Sequence, residues 1–266
     1  NNDFNLILAL LDINVVSDPN WDLISIVSNI KSNVSKYLNR FAKHSLFKSL
    51  TVMGRFNDSI EASNILDAGF WLLSSANTFA LAIIALQGKV PRGSHILHQF
   101  RTENLSFMDN FELWSEVSGL NLATKVSVTR RLDAIREVLQ IGSFFSTSHI
   151  FSQHEYAYMI IEAKSNYLLK THSVLDAYCY LGLELTKSIE KLYELRCQQT
   201  GKIPIFHEIV QQLNDNEKYM KKLDIQTIRL IGINSDEQLL KSQGLRFTNL
   251  IKTFAKKISK NNFLDT

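Results

Sequence analysis

The stretch LDAGFWLLSSANTFALAIIALQGKVP, residues 66–91, decides how the rest of the chain is read. Its most apolar part, Phe70 to Leu86, is interrupted only by Asn77 and small hydroxyl residues. That part is shorter than the roughly 20 apolar residues that span a bilayer, so the pattern predicts a helix buried on all sides, with no membrane contact. Gly88 tolerates the left-handed conformation that closes a helix, and Pro91 bars any continuation. Lys89 favours the negative end of the helix dipole.

The same stop signal is written again at GKIP, residues 201–204, with Gly88 to Gly201 and Pro91 to Pro204 both 113 apart. Leu66-Asp67-Ala68 begins the buried stretch before Gly88, and Leu175-Asp176-Ala177 begins the one before Gly201. The two intervals, 22 and 26 residues, differ by about one helical turn, which keeps the same face inward. The expectation is an all-α chain of two helical bundles in tandem, residues 22–142 and 150–262, packed about a pseudo-twofold axis. Residues 1–21 precede them as a strand-like segment or linker, because the β-branched run LILALLDINVV, 6–16, ends in the turn Ser17-Asp18-Pro19-Asn20.

Outward from this stretch, the apolar residues Leu23, Val27, Ile30, Val34, Tyr37 and Phe41 predict one amphipathic helix to about Leu46. A second helix is expected over 59–87, a short one after Ser94, and others over 107–117 and 128–139. Ser152-Gln-His-Glu155 reads as a capping box opening a helix to about Lys170, followed by a helix over 173–199. Short helices over 206–213 and 217–230 follow, and Ser235-Asp-Glu-Gln238 reads as a second box before the last helix.

With 266 residues, 45% of them hydrophobic and 21% charged, the chain has the composition of a globular protein rather than a disordered one. A net charge of +3 is too small a field to argue nucleic-acid binding by itself. Cys179 and Cys197 fall on one expected helix about 27 Å apart, beyond disulfide reach, and read as free thiols of a reducing, cytoplasmic compartment. The polar opening Asn1 to Asn5 does not read as a signal peptide.

Chemistry is sparse. His95, His98 and His207 lack the i, i+4 partners of a zinc hydrolase, so no metal site is expected. No Gly-Ser turn is followed by the paired carboxylates of a two-magnesium centre. What remains are cations and imidazoles at the two reversals: Lys89, Arg92, His95, His98 and Arg101, then Lys202 and His207. Clustered at exposed helix ends, they are the candidate anion contacts. An alternative use of Arg92 and His98 is metal-independent ribonuclease chemistry, with the histidine activating a ribose hydroxyl and the arginine stabilising the charged intermediate. A third is a helical scaffold that receives another protein.

The passage LDAGFWLLSSANTFALAIIALQGKVPRGSHILHQFR, residues 66–101, resembles the helical substrate-binding domain of minimal nucleotidyltransferases, which is related to the HEPN domains. The opening LILALLDINVVSDPNWDL is similar to the last strand and exit turn of the nucleotidyltransferase core. The resemblance implies two HEPN-like bundles, nucleotide or nucleic-acid substrates, self-association of bundles, and a partner nucleotidyltransferase domain in cis or in trans. Magnesium would belong to that domain. It implies no cofactor and no catalytic residue for this chain, because the Gly-Ser and Asp-x-Asp elements are not present in it.

Overall fold

A computed structural model describes residues 2–11, 13–101, 108–145, 153–200 and 232–260. Ten α-helices form among them: α1 Asn2–Leu11, α2 Asp22–Ser32, α3 Val34–Glu61, α4 Ile65–Leu86, α5 Ile96–Arg101, α6 Met108–Val117, α7 Lys125–Phe145, α8 His154–Thr171, α9 Val174–Thr200 and α10 Glu237–Lys260. Two 3₁₀ turns, Gly93–His95 and Leu120–Leu122, link α4 to α5 and α6 to α7. No strand forms among the described residues, and the all-α expectation holds.

The strand expected over 6–16 is a helix to Leu11 and then loop. Its Leu and Ala residues favour a helix when a partner surface is at hand. That surface is the small cluster of Leu38, Phe41, Ala42 and Ala85, against which Leu8 packs. A remnant of a nucleotidyltransferase strand is therefore not found at residues 2–11.

The single helix expected over 23–46 is interrupted at Asn33, whose side-chain amide donates to the Asn29 carbonyl at 3.0 Å. From Val34 the helix continues past Leu46 to Glu61, and the break before α4 falls at Ser63, in the left-handed region at φ 58°. The last helix opens differently as well. Asp236, not Ser235, accepts from the Leu239 amide at 3.0 Å and so caps α10. Ser152 of the other expected box lies outside the described residues, as do the short helices expected over 206–213 and 217–230.

Helix α4 is the axis of the core. It is long and apolar enough to cross a membrane by length and composition, and 89% of its most apolar window is buried within the fold. Every polar group on such a helix must find a partner, since an unpaired one costs about 1–3 kcal/mol. Asn77 donates to the Gly182 carbonyl and to Thr186 Oγ1, both at 3.2 Å, and Ser49 and Ser75 share a hydroxyl contact of 2.8 Å. The Tyr193 hydroxyl donates to Asp67 Oδ1 at 3.0 Å, and Ser74 donates to Glu190, whose other oxygen takes Lys48 at 2.6 Å. These bonds tie α4 to α3 on one side and α9 on the other.

One buried cluster runs from Leu46 to Phe254 and takes residues from both expected bundles. The packing is reciprocal. Helix α7, the last of 22–142, lies chiefly on α8 and α9, while α10, the last of 150–262, lies on α3, α4 and α6.

Candidate functional site

The first reversal forms as the sequence predicts. Gly88 has φ 76°, its amide donates to the Ala85 carbonyl at 3.0 Å, and the Lys89 amide donates to the Ile84 carbonyl at 3.3 Å. This is the Schellman closure that satisfies the last carbonyls of α4. Gln99, which the sequence reading did not single out, then clamps the turn. Its side chain accepts from the Arg92 amide and donates to the Val90 carbonyl, both at 2.9 Å.

The turn approaches α9 closely because Gly93 has no side chain: a Cβ there would stand 2.8 Å from the Leu183 side chain. Ser94, Ile96, Leu97 and Phe100 are buried, which leaves Arg92, His98 and Arg101 exposed and His95 half-buried. Facing them is the C-terminal end of α8. The His95 and His172 rings lie 5.4 Å apart, and His172 is 6.0 Å from the Tyr167 ring. The Thr171 hydroxyl is 2.7 Å from His172 Nδ1.

The electrostatics are positive. Burial holds the His95 pKa below its ordinary value, and His172, Lys164, Arg92 and His98 push it the same way. The structure thus brings together Arg92, His95 and His98 from the sequence prediction and adds Lys164, Tyr167 and His172. Lys89 sits at the helix cap and Arg101 at the end of α5; both are exposed, and neither figures among the charges acting on His95. Lys202 and His207 lie outside the described residues.

Tyr167 is 54% exposed, and Tyr156, Met159 and Ile160 on the same helix are also at least half exposed. A stripe at positions 156, 160 and 167 with aromatic ends is the pattern of a contact face. Among the described residues, no three His, Cys, Asp or Glu side chains gather as a metal centre would need. Cys179 and Cys197 are free thiols, and burial pushes the Cys179 thiol up to about 12.

A second polar group lies between α7 and α8. Arg136 stacks 4.1 Å over the Tyr158 ring and donates to its hydroxyl at 2.5 Å, and that hydroxyl donates to Glu162 at 3.2 Å. Nearby, burial first and the Asp133 charge second raise Glu137 from 4.5 to about 7. A carboxyl with a raised folded pKa binds more protons folded than unfolded between those values, so it subtracts stability as pH climbs through that window. Glu137→Gln should therefore gain on the order of 1 kcal/mol at about pH 8, after allowance for solvent screening, and nothing at about pH 4. Urea denaturation at the two pH values measures the difference, and an equal effect at both would refute the assignment.

No family model, curated protein or solved structure matches the chain. Fold and site together define an all-α helical protein in which one corner, between the α4–α5 reversal and the end of α8, concentrates imidazoles, cations and an exposed tyrosine.

Proposed function

We propose that the chain is a binding module that holds a nucleotide or nucleic-acid strand at the corner formed by Arg92, His95, His98, Lys164, Tyr167 and His172. The observation that carries this reading is the exposed Tyr167 ring beside His172 and His95, with three further cationic or imidazole groups acting on the same spot. Phosphate needs the cations, and a base needs a face to stack on; single-strand binders combine the two. Tyr156, eleven residues earlier on α8, stands about 16 Å along the helix and offers a second platform.

The HEPN-like reading is attached here. Reciprocal packing of α7 and α10 onto each other's bundle is what a duplicated unit with exchanged last helices would produce, and it supports the repeat expected from Gly88 and Gly201. In that reading the module serves a nucleotidyltransferase domain, in the same polypeptide or a separate one, and magnesium belongs to that domain. A second reading, docking of a protein partner, is favoured by the exposed Met159 and Ile160 beside the tyrosines.

Fluorescence anisotropy with a labelled single-stranded oligoribonucleotide separates the two. Affinity should fall steeply with salt, and Arg92→Ala and Lys164→Ala should each reduce the salt slope by about 1. Tyr167→Ala should cost about 1–3 kcal/mol of binding. Binding that ignores salt, or no binding, would defeat the nucleic-acid reading and leave the protein-docking one.

A further inference from the structure

The hydrogen-bond pattern around His172 determines which ring nitrogen is free. The Thr171 hydroxyl donates its one proton to the Tyr167 carbonyl at 2.8 Å, as a threonine near a helix end commonly does. Toward His172 Nδ1, 2.7 Å away, the same oxygen can then only accept. With Nδ1 donating to that oxygen, Nε2 of the neutral ring is an acceptor. An acceptor facing an anion repels it. Only after a second proton reaches Nε2 does His172 become a donor to phosphate.

The ring pair sits among like charges. His95 stands 5.4 Å from His172, ring to ring, and Arg92 and His98 flank it from the turn and α5. Helix α8 contributes Lys164 and Lys170 around the same end, and Tyr167 caps the His172 ring. From α9, Lys187 is paired with Glu184 at 2.9 Å and Asp176 is engaged by Ser173, and no carboxylate figures among the charges acting on His95. Burial and these like charges hold His95 neutral more readily than an open imidazole.

Resting on the binding reading above, we propose that phosphate capture at this corner is proton-coupled: the His95–His172 pair takes up a proton as a phosphoryl group settles against it. The balance is simple. One proton leaves solvent and forms an N–H bond on the imidazole pair, no other covalent bond changes, and the anion's charge offsets the repulsion that lowers the His95 pKa. The corner then grips a strand in mildly acidic solution and loosens its hold as the pH rises.

The test is isothermal titration of the intact chain with a single-stranded oligoadenylate between about pH 6 and about pH 8, in two buffers of different ionisation enthalpy. Affinity should strengthen about tenfold toward the acidic end, within the ceiling of about a hundredfold that one linked proton sets over about two pH units. Heats at about pH 7 should differ between buffers by the amount that proton uptake requires. His172→Gln and His95→Gln, each checked for helicity by circular dichroism, should flatten the pH dependence whatever they cost in overall affinity. Equal affinity and equal heats across pH and buffer would overturn proton coupling yet leave the binding reading standing. A pH dependence undiminished in both variants would also overturn it. Absence of binding at every pH would remove both readings together.

Discussion

Phe79→Ala should lower the unfolding free energy by about 3–5 kcal/mol, through lost transfer energy, a cavity and two lost ring contacts. Phe79 is fully buried at the middle of α4 and meets Phe247 and Phe254 of α10 edge-on, each at 5.4 Å between centroids. Those two rings, seven residues or about two helical turns apart, are the aromatic contacts that α10 makes with Phe79 of α4. Leu240 and Ile251 of the same helix are fully buried in this core, Glu116 of α6 takes Gln243 and Arg246 at 3.1 Å each, and Gly244 lets the helix approach the Phe56 ring. The Arg246–Glu116 pair is largely solvated and worth at most about 1 kcal/mol. Removing Phe79 should thus release α10 selectively, with faster proteolysis after Glu237 than elsewhere, while Phe79→Leu retains most of the stability. Urea denaturation measures the loss. A change below about 1 kcal/mol would mean that α10 is not seated on α4.

The half of the fold that could be read from residues alone is the half written in local chemistry. Gly88 and Pro91 announce a closure that needs no distant partner, and the apolar run of α4 is too continuous for any position but the centre. The misread elements depend on partners. The 6–16 run is ambiguous between strand and helix until Leu38 and Phe41 offer a surface to Leu8, and the Ser63 kink carries no glycine to mark it. The candidate site divides the same way. Arg92, His95 and His98 stand within one short segment and were visible together; Lys164, Tyr167 and His172 come from a helix some seventy residues later, and only the packing of the turn on α9 next to α8 unites them. His172 stands three residues past Leu169, the last apolar residue of α8, but nothing in the spacing ties that end to Gly93.

Arg131 shows the limit most clearly and carries the second large effect. Val128, Leu132, Ile135 and Leu139 mark the apolar face of α7, and Arg131 lies at the edge of that face, where a charged side chain is not expected to be fully buried. In the structure Arg131 is 1% exposed. Its guanidinium lies 3.3 Å over the Tyr178 ring, donates to the Tyr178 carbonyl, and reaches the Ser118 carbonyl at 3.4 Å. Two glycines make the room: a Cβ at Gly182 or at Gly232 would collide with the guanidinium nitrogens, and Gly232 also has φ 87°. Arg131 is thus the stitch by which α7 holds α9 and the segment entering α10. Arg131→Ala should cost about 3–5 kcal/mol, because it removes buried hydrogen bonds and the stacking on Tyr178 and opens a cavity. Arg131→Lys should recover little, since an ammonium has neither the fork that spans two carbonyls nor the plane that stacks on a tyrosine. Gly182→Ala gives the sharpest contrast. In the middle of an ordinary helix this change stabilises by about 1 kcal/mol. Here the added methyl must displace a buried guanidinium, so the sign should reverse, and a Gly182→Ala change that no longer destabilises once residue 131 is alanine would show coupling between the two sites. Thermal denaturation of the parent chain, the two single variants and the double variant measures that cycle. A stabilising Gly182→Ala on its own would place Arg131 elsewhere than against α9.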